Sequence, residues 1–546
     1  MKAAEAIRAG LAAQTLADRL VAWLSPEKGL ARFKARTILA ASAGGYNGAA
    51  TSRRATSLWR PRSGSADSDT LGNLSTLRAR ARDLSRNTPV AAGAVATVVS
   101  NVVGTGLVCQ PEIDTEFLGL SEEEADAFET AALREWRHFA ATCDISGVQC
   151  FEEMQALALR MVLDSGDGVV LRKWREDPGA IYGTRLQFVE ADRLATPGFS
   201  TLPMPQPNGE TLVAGVYVDR DGRHVAYSIA DRHPGDFRAT AIAFTRIAAR
   251  TAEGDAAVLH LYDRLRPDQT RGVPYLSPVV EHLKQIGDYS DAEVTAAVVG
   301  AMITVFIESP GPSDTDDNPP IGEKDASLEA NQVKLGNGAI VGLGPGEKAT
   351  SPIPSRPNTN FDPFMQAFLR QVGVALELPF EVLVQHFTSS YSASRAALEM
   401  AWQLFRRRRK WLAEVFCQPV YEWFMAEAVA RGRLSAPGFF ADPLVRAAYC
   451  RAAWIGQSKM SLDPLREANA DKVDVELGVK TREQICAERT GGEFADKVAQ
   501  LAKEKAALDA AGLTPAPAPA AAAPAKLDPS ADPEAGDASD EEPEDA

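Results

Sequence analysis

The residues best suited to chemistry in this chain gather where hydropathy loses its period. Gln385-His386-Phe387-Thr388-Ser389-Ser390-Tyr391-Ser392 is a polar, uncharged run between two apolar stretches. Ser394 and Arg395 follow it, and after them the cationic run Arg406-Arg407-Arg408-Arg409-Lys410. Hydroxyl and amide groups of this kind suit a surface along which a polyanion slides, because every basic residue held against phosphate adds a salt-sensitive attraction. Gln385, His386, Thr388, Ser389, Ser390, Ser392 and Ser394 are therefore candidates for light, sliding contact with such a polyanion. Arg395, Arg406 and Arg409 are the basic candidates beside them. Five consecutive helical residues spread around the cylinder at ~100° apiece, so at most two of the run can face one direction. The others are expected to meet Asp or Glu of a neighbouring helix or subunit.

Two helices must position this loop. Apolar residues at Phe364, Phe368, Val372, Ala375 and Leu376 predict a helix over Phe364–Leu378, ended by Pro379. A short apolar piece, Phe380–Val384, leads into the loop. Ser392 or Ser394 is the expected N-cap of a second helix running to about Ala430, with Leu398, Trp402, Phe405, Leu412 and Phe416 on a wide apolar face.

Other chemistries find no foothold. Asp164 and Asp167 in Asp164-Ser165-Gly166-Asp167-Gly168 read as turn residues and not as metal ligands. Asp314, Asp316 and Asn318 imitate the start of a calcium loop, but Pro319 stands where that loop needs glycine. Gly342 to Lys348 lacks the Gly-Lys-Ser/Thr ending of a phosphate loop. The six histidines form no ligand spacing, and no serine lies in a GxSxG elbow. Six cysteines without CxxC spacing read as buried free thiols. The expectation is no catalytic residue, no metal and no cofactor, hence no enzyme.

With 546 residues, 45% hydrophobic and 24% charged, the chain is long enough for two to four domains. Its net charge of -15 argues at first against a nucleic-acid partner. However, Asp528, Asp532, Glu534, Asp537, Asp540, Glu541, Glu542, Glu544 and Asp545 stand in a tail without Lys or Arg, and supply more than half of that excess. No apolar stretch reaches the ~20 residues of a bilayer span, and the Ala3–Leu24 helix is amphipathic. The product is expected to stay in the cytoplasm where it is made.

In chain order, a Gly/Ser/Arg segment from Ser42 to Asp69 precedes a basic helix, Leu77 to Asn87. Its Arg78 and Arg82 share a face, with Arg80 nearly opposite. Arg78, Arg80, Arg82 and Arg86 suit DNA contact or, alternatively, a solvated or subunit-facing side. Ser121 with Glu124 forms a capping box for a helix to Phe139. A helix over Phe151–Leu163 and a strand over Val169–Trp174 follow. Period-two segments then flank Asp219-Arg220-Asp221-Gly222, with a further strand at Ala257–Leu261, predicting a small β-rich domain. Ser277 as N-cap and Pro278 launch a helix to about Ala301, ~36 Å long. Leu283, Ile286, Val294, Ala297 and Val298 put apolar residues on more than one of its sides.

These blocks resemble the portal proteins of lambda-like tailed phages. The resemblance rests on several motifs: Leu376-Glu377-Leu378-Pro379; the loop ending Ser390-Tyr391-Ser392-Ala393-Ser394-Arg395; Arg82-Asp83-Leu84-Ser85-Arg86-Asn87 followed by Val102-Val103-Gly104-x-Gly106; Arg264-Leu265-Arg266-Pro267-Asp268-Gln269-Thr270-Arg271-Gly272; and Ala453-Trp454-Ile455-Gly456 with Leu462-Asp463-Pro464. Tyr46 and Trp59 fit as well. It implies an α+β ring subunit in which residues 1–70 are an N-terminal helix and arm, 71–150 and 308–375 the two parts of a wing, 151–185 a first stem helix and strand, 186–265 a clip, 266–307 a second stem helix, 376–434 a channel loop with a long kinked helix, 435–513 a helical crown, and 514–546 an Ala/Pro-rich acidic tail. The implied function is a dodecameric channel at one capsid vertex for packaging and ejecting double-stranded DNA. Its implied partners are the terminase large subunit, the major capsid and scaffold proteins and the head-tail connector, with no membrane. An ATP-driven or nucleolytic packaging enzyme is the alternative from another class, disfavoured by the missing phosphate loop and acidic metal cluster. A host-encoded gene-transfer-particle portal keeps the same chemistry.

Overall fold

The computed structural model describes residues 16–42, 54, 56, 58–236, 241–301, 305–307, 340–342, 360–387, 390–458, 464–490 and 494–510. Tyr46, the acidic triplet at 314–318, the 343–348 segment, Thr388, Ser389 and the 514–546 tail lie outside them. The architecture is α+β, with a helical core, two antiparallel sheets stacked on its side, and a pair of long helices.

The core forms because several helices carry apolar residues at helical spacing and present them to one centre. Leu74–Asn87 contributes Ala81 and Leu84, and Pro89–Val102 contributes Ala91, Ala94, Val95, Val98 and Val102. Pro89 opens the second of these after extended Thr88. Glu122–Ala140 starts with the expected capping box, Ser121 Oγ accepting from the Glu124 amide while the Glu124 carboxylate accepts from the Ser121 amide. Its Trp136 ring meets Phe139, Phe151, Tyr421, Phe424 and Trp454 at 5.0–5.7 Å between centroids, joining four parts of the chain. Phe151–Ser165 runs through this centre.

Asp167–Trp174 is the central strand of a three-stranded sheet, flanked antiparallel by Thr184–Glu190 and Val258–Tyr262. Val170 points into the helical core. Val169 and Leu171 face the other way, onto Val216, Tyr227 and Ile229 of a five-stranded antiparallel sheet. That sheet runs Met204–Pro205, Thr211–Val213, Val216–Val218, His224–Ala230 and Phe244–Ala248 in sequence order. The predicted hairpin is present, with Asp219 Oδ1 accepting from the Asp221 and Arg223 amides. The strand pairing therefore divides the expected 186–265 unit: strands at both its ends belong to the other sheet. A buried strand needs hydrogen-bonding partners for its backbone on both edges, and 184–190 and 258–262 supply them.

Val280–Ala301 is the expected long helix, but Ser277 does not cap it. A 3-10 turn, Ser277–Val279, precedes it, and the buried Ser277 hydroxyl makes no hydrogen bond. The helix lies antiparallel to Phe361–Ala375, with His282 against Phe368 and Tyr289 against Phe361 and Phe364. Leu283 and Ile286 are buried, whereas Val294 is 63% and Val298 50% exposed.

At the C-terminal side, Ala452–Ile455 is a strand paired with Val108–Pro111, so 435–513 is not purely helical. The helices Pro464–Glu476, Arg482–Thr490 and Phe494–Ala510 follow. All six cysteines are free thiols, five of them buried.

Candidate nucleic-acid interface

The loop is held between two helix ends. Phe361–Ala375 stops three residues earlier than its period predicts, and a local backbone reversal, not Pro379, stops it. Glu377 takes φ +56° and the Leu378 amide turns back to the Gly373 carbonyl at 2.9 Å. The Tyr275 hydroxyl donates to the freed Leu376 carbonyl. Pro379 instead precedes a short helix, Phe380–Leu383. Gln385 then takes φ +54° and its side-chain amide reaches Thr97 Oγ1 at 3.4 Å.

Ser390, and neither Ser392 nor Ser394, is the N-cap of the following helix, Tyr391–Leu412, its hydroxyl accepting from the Ala393 amide at 3.4 Å. The helix thus starts two or four residues earlier than expected, since Ser390, with extended backbone and a hydroxyl that can turn onto the amide ends, takes the cap. Ser392 and Arg395 are exposed, as are Gln385, His386 and Ser390, while Ser394 is buried. One π-helical turn, Ala413–Cys417, then passes the chain into Gln418–Ala430 without breaking it.

The cationic run separates by direction, as the helical angle requires. Arg407 pairs with Glu377 at 2.9 Å. Arg408 stacks over Tyr275 at 4.9 Å from the ring centre. Arg409 donates from Nε to the Val102 carbonyl and from an Nη to that of Asn101, both at 3.0 Å, and lies over the Trp402 ring. A guanidinium there closes the C-terminal end of the Pro89–Val102 helix. Burial lowers its pKa, with Glu488 opposing. Arg406 and Lys410 are exposed. At ~100° per residue, Arg395, Arg406 and Lys410 fall within about 60° of one another on the helix. Arg406 and Lys410 border a concave groove of about 760 Å³ that also takes in Gln418, Arg451 and Trp454, and Arg395 lies outside it. Arg451 carries no signal in the sequence, because forty-odd residues and a separate helix stand between it and the run.

The basic helix Leu74–Asn87 contributes differently. Arg78 is 5% exposed, and its pKa is pushed down to about 10, mainly by burial. It donates to Asp167 Oδ1 at 2.5 Å and to the Ser165 carbonyl at 2.8 Å. Arg82 pairs with Asp192, while Arg80 and Arg86 are exposed. Asp167 is no turn residue: it opens the central strand, fully buried, between Arg78 and Arg271. The two guanidinium groups hold its carboxyl far below the usual range against the opposing effect of burial. Asp164 accepts instead from Ser85 Oγ and Arg160. Among the described residues no group of three or more His, Cys, Asp or Glu side chains could hold a metal ion, and no helix is long and apolar enough to cross a membrane.

Residues 52–409 match the family described as phage portal protein, lambda family. Portal protein B of Escherichia phage lambda is 27% identical over 480 residues, covering 84% of this chain and 88% of the relative. The portal protein of Escherichia phage N15 is 27% identical over 483 residues, with 84% and 89% covered. The neck of an empty gene transfer agent particle aligns with a TM-score of 0.40 at 13% identity, over 74% of this chain and 92% of that one. With the family pattern spanning well over half of its length, this chain belongs to the lambda family of phage portal proteins.

Proposed function

We propose that copies of this portal protein close into a dodecameric ring whose bore is lined by the 385–394 loop and conducts double-stranded DNA. Portal proteins of this family are structural components of the virion that form its DNA channel, and not enzymes. The family match over residues 52–409 carries the reading. The exposed second half of Val280–Ala301 supports the ring, since Val294 and Val298 are exposed among the described residues and a neighbouring copy would cover them.

The antiparallel pairing of Val280–Ala301 with Phe361–Ala375 supports a two-helix stem. The stacking of the five-stranded sheet on Asp167–Trp174 supports assigning that sheet to the body and not to a clip. The ring would assemble in the host cytoplasm at one capsid vertex with the major capsid and scaffold proteins. It would receive the terminase large subunit during packaging and the head-tail connector afterwards. Negative-stain images of the purified protein test the reading: rings with a central hole are expected, and a stable monomer at micromolar concentration by light scattering counts against it.

A further inference from the structure

The basic groove beside the long helix and the acidic tail carry opposite charge within one chain. The groove has Arg406, Lys410 and Arg451 on its rim and Trp454 with small residues such as Ala413 and Ala452 on its floor. Among the described residues that line it, Glu414 is the one carboxylate, 3.7 Å from Lys410, and Asp114 stands 3.9 Å from Arg451 outside the lining. The tail from Asp528 onward has nine acidic residues separated by Ala, Pro, Gly and Ser, and no basic one. Small apolar residues suit the floor, and alternating carboxylates suit the rim.

We infer that the acidic tail, 528–545, docks in this groove as an internal polyanion. The tether permits it. Helix Phe494–Ala510 packs on Arg482–Thr490, which itself contacts the groove strand Ala452–Ile455. Residues 511–527, rich in Ala and Pro, span up to ~50 Å when extended, against ~26 Å for the whole 494–510 helix. Attachment to the same chain raises the local concentration of the tail to the ~mM range, so weak individual contacts suffice. A groove of about 760 Å³ accepts a few residues of extended peptide, whereas a DNA duplex requires a wider and more open surface.

A zero-length carbodiimide crosslinker applied to the full-length protein tests this, because Lys410 is the lysine of the groove and Glu414 beside it is an internal control. Mass spectrometry is expected to find Lys410 joined to a carboxylate within 528–545. The yield should fall at least ~10-fold in about 1 M salt relative to about 0.05 M. It should fall equally in Arg406→Glu/Arg451→Glu, two exposed positions, while the Lys410–Glu414 product persists. Removing five of the nine tail carboxylates by Asp540→Asn, Glu541→Gln, Glu542→Gln, Glu544→Gln and Asp545→Asn should lower the tail crosslink several-fold and raise the affinity of the protein for a short DNA duplex, a gain that Arg406→Glu/Arg451→Glu cancels. Lys410 joined only to Glu414 in the wild type overturns the inference. A gain in DNA affinity that the arginine changes leave untouched also overturns it, since it would then reflect net charge alone. Loss of DNA binding in the arginine variants without any tail crosslink would make the groove a nucleic-acid site and likewise overturn it. The readout does not depend on ring formation, so its failure is distinct from failure of the channel reading.

Discussion

Arg271 reaches the carboxylate of Asp167 across 104 residues of sequence, its Nε on Oδ2 at 2.5 Å and an Nη on Oδ1 at 3.2 Å, both side chains almost fully buried. The remaining guanidinium donors of Arg271 go to the carbonyls of Ala191, Leu194 and Ala214. With Arg78 on the other side of Asp167, this joins the first core helix, the central strand, the five-stranded sheet and the approach to the stem helix. The family phrase around Arg271 is therefore a structural joint.

Breaking that joint should cost far more than removing a surface arginine. Asp167→Asn leaves two buried guanidinium groups without their carboxylate and is expected to lower stability by ~3–5 kcal/mol, Arg271→Ala leaves Asp167 with Arg78 alone and should also cost well over ~1 kcal/mol, whereas exposed Arg80→Ala should stay within ~0.5 kcal/mol. Urea unfolding followed by circular dichroism compares them. Equal midpoints for Arg80→Ala and Arg271→Ala would contradict the assignment.

Gly166 and Gly272 stand where two backbones touch. A Cβ on Gly272 would lie 2.0 Å from the Gly166 carbonyl oxygen, and Gly166 itself has φ +86°. Gly272→Ala is expected to destabilise by ~3 kcal/mol, because backbone on backbone cannot move aside as a flexible side chain can. Gly119→Ala, in open space, carries only the cost of its φ of +66° and should be the milder change in the same unfolding assay.

Acid should weaken the fold before carboxylates titrate. His224 is pushed down to about 4, first by burial and then by His260, Arg264 and Arg271. His260 is also lowered, by burial against the opposing pull of Asp167. An imidazole that the folded state keeps neutral binds protons more readily once unfolded. The stability it contributes is thus complete above pH ~6.5 and lost as pH falls toward ~4. Asp167, held much lower, keeps its contribution through that window. The urea midpoint is expected to drop between pH ~7.5 and ~4.5, and His224→Gln should flatten the slope. An unchanged slope in that variant would show that His224 does not titrate with folding.

Val294→Asp with Val298→Asp should leave each copy folded, since both residues are exposed in one chain, yet prevent ring closure by placing charge in an apolar contact. Light scattering of the double variant should report monomers with wild-type circular dichroism. Wild-type rings would remove the second half of the stem helix from the subunit contact.

The bore assignment of the loop is tested by Thr388→Lys with Ser389→Lys, leaving Ser390 in place because its cap is worth ~1 kcal/mol to the helix that follows. Intact rings with a packaging or ejection defect that eases as salt rises are expected. Normal packaging and ejection, or loss of rings, would place the loop elsewhere.

Local features of this chain were legible in its sequence wherever one segment settles the outcome by itself. The Ser121–Glu124 capping box, the Asp219–Gly222 hairpin, the presence but not the exact ends of the 151–165 and 391–430 helices, and the angular dispersal of Arg406 to Lys410 all follow from dihedral preferences and periodicity within a few turns. The choice of partner did not follow. Nothing in the sequence around Asp167 distinguishes a turn carboxylate from the centre of a buried ion cluster, because its partners Arg78 and Arg271 lie 89 and 104 residues away. The same holds for Arg409, whose role depends on helix carbonyls 307 and 308 residues distant. It holds again for strand 258–262, which period alone assigns to β structure but not to a sheet. A buried charge takes its meaning from whatever low-dielectric packing brings to it, and only the tertiary structure decides that.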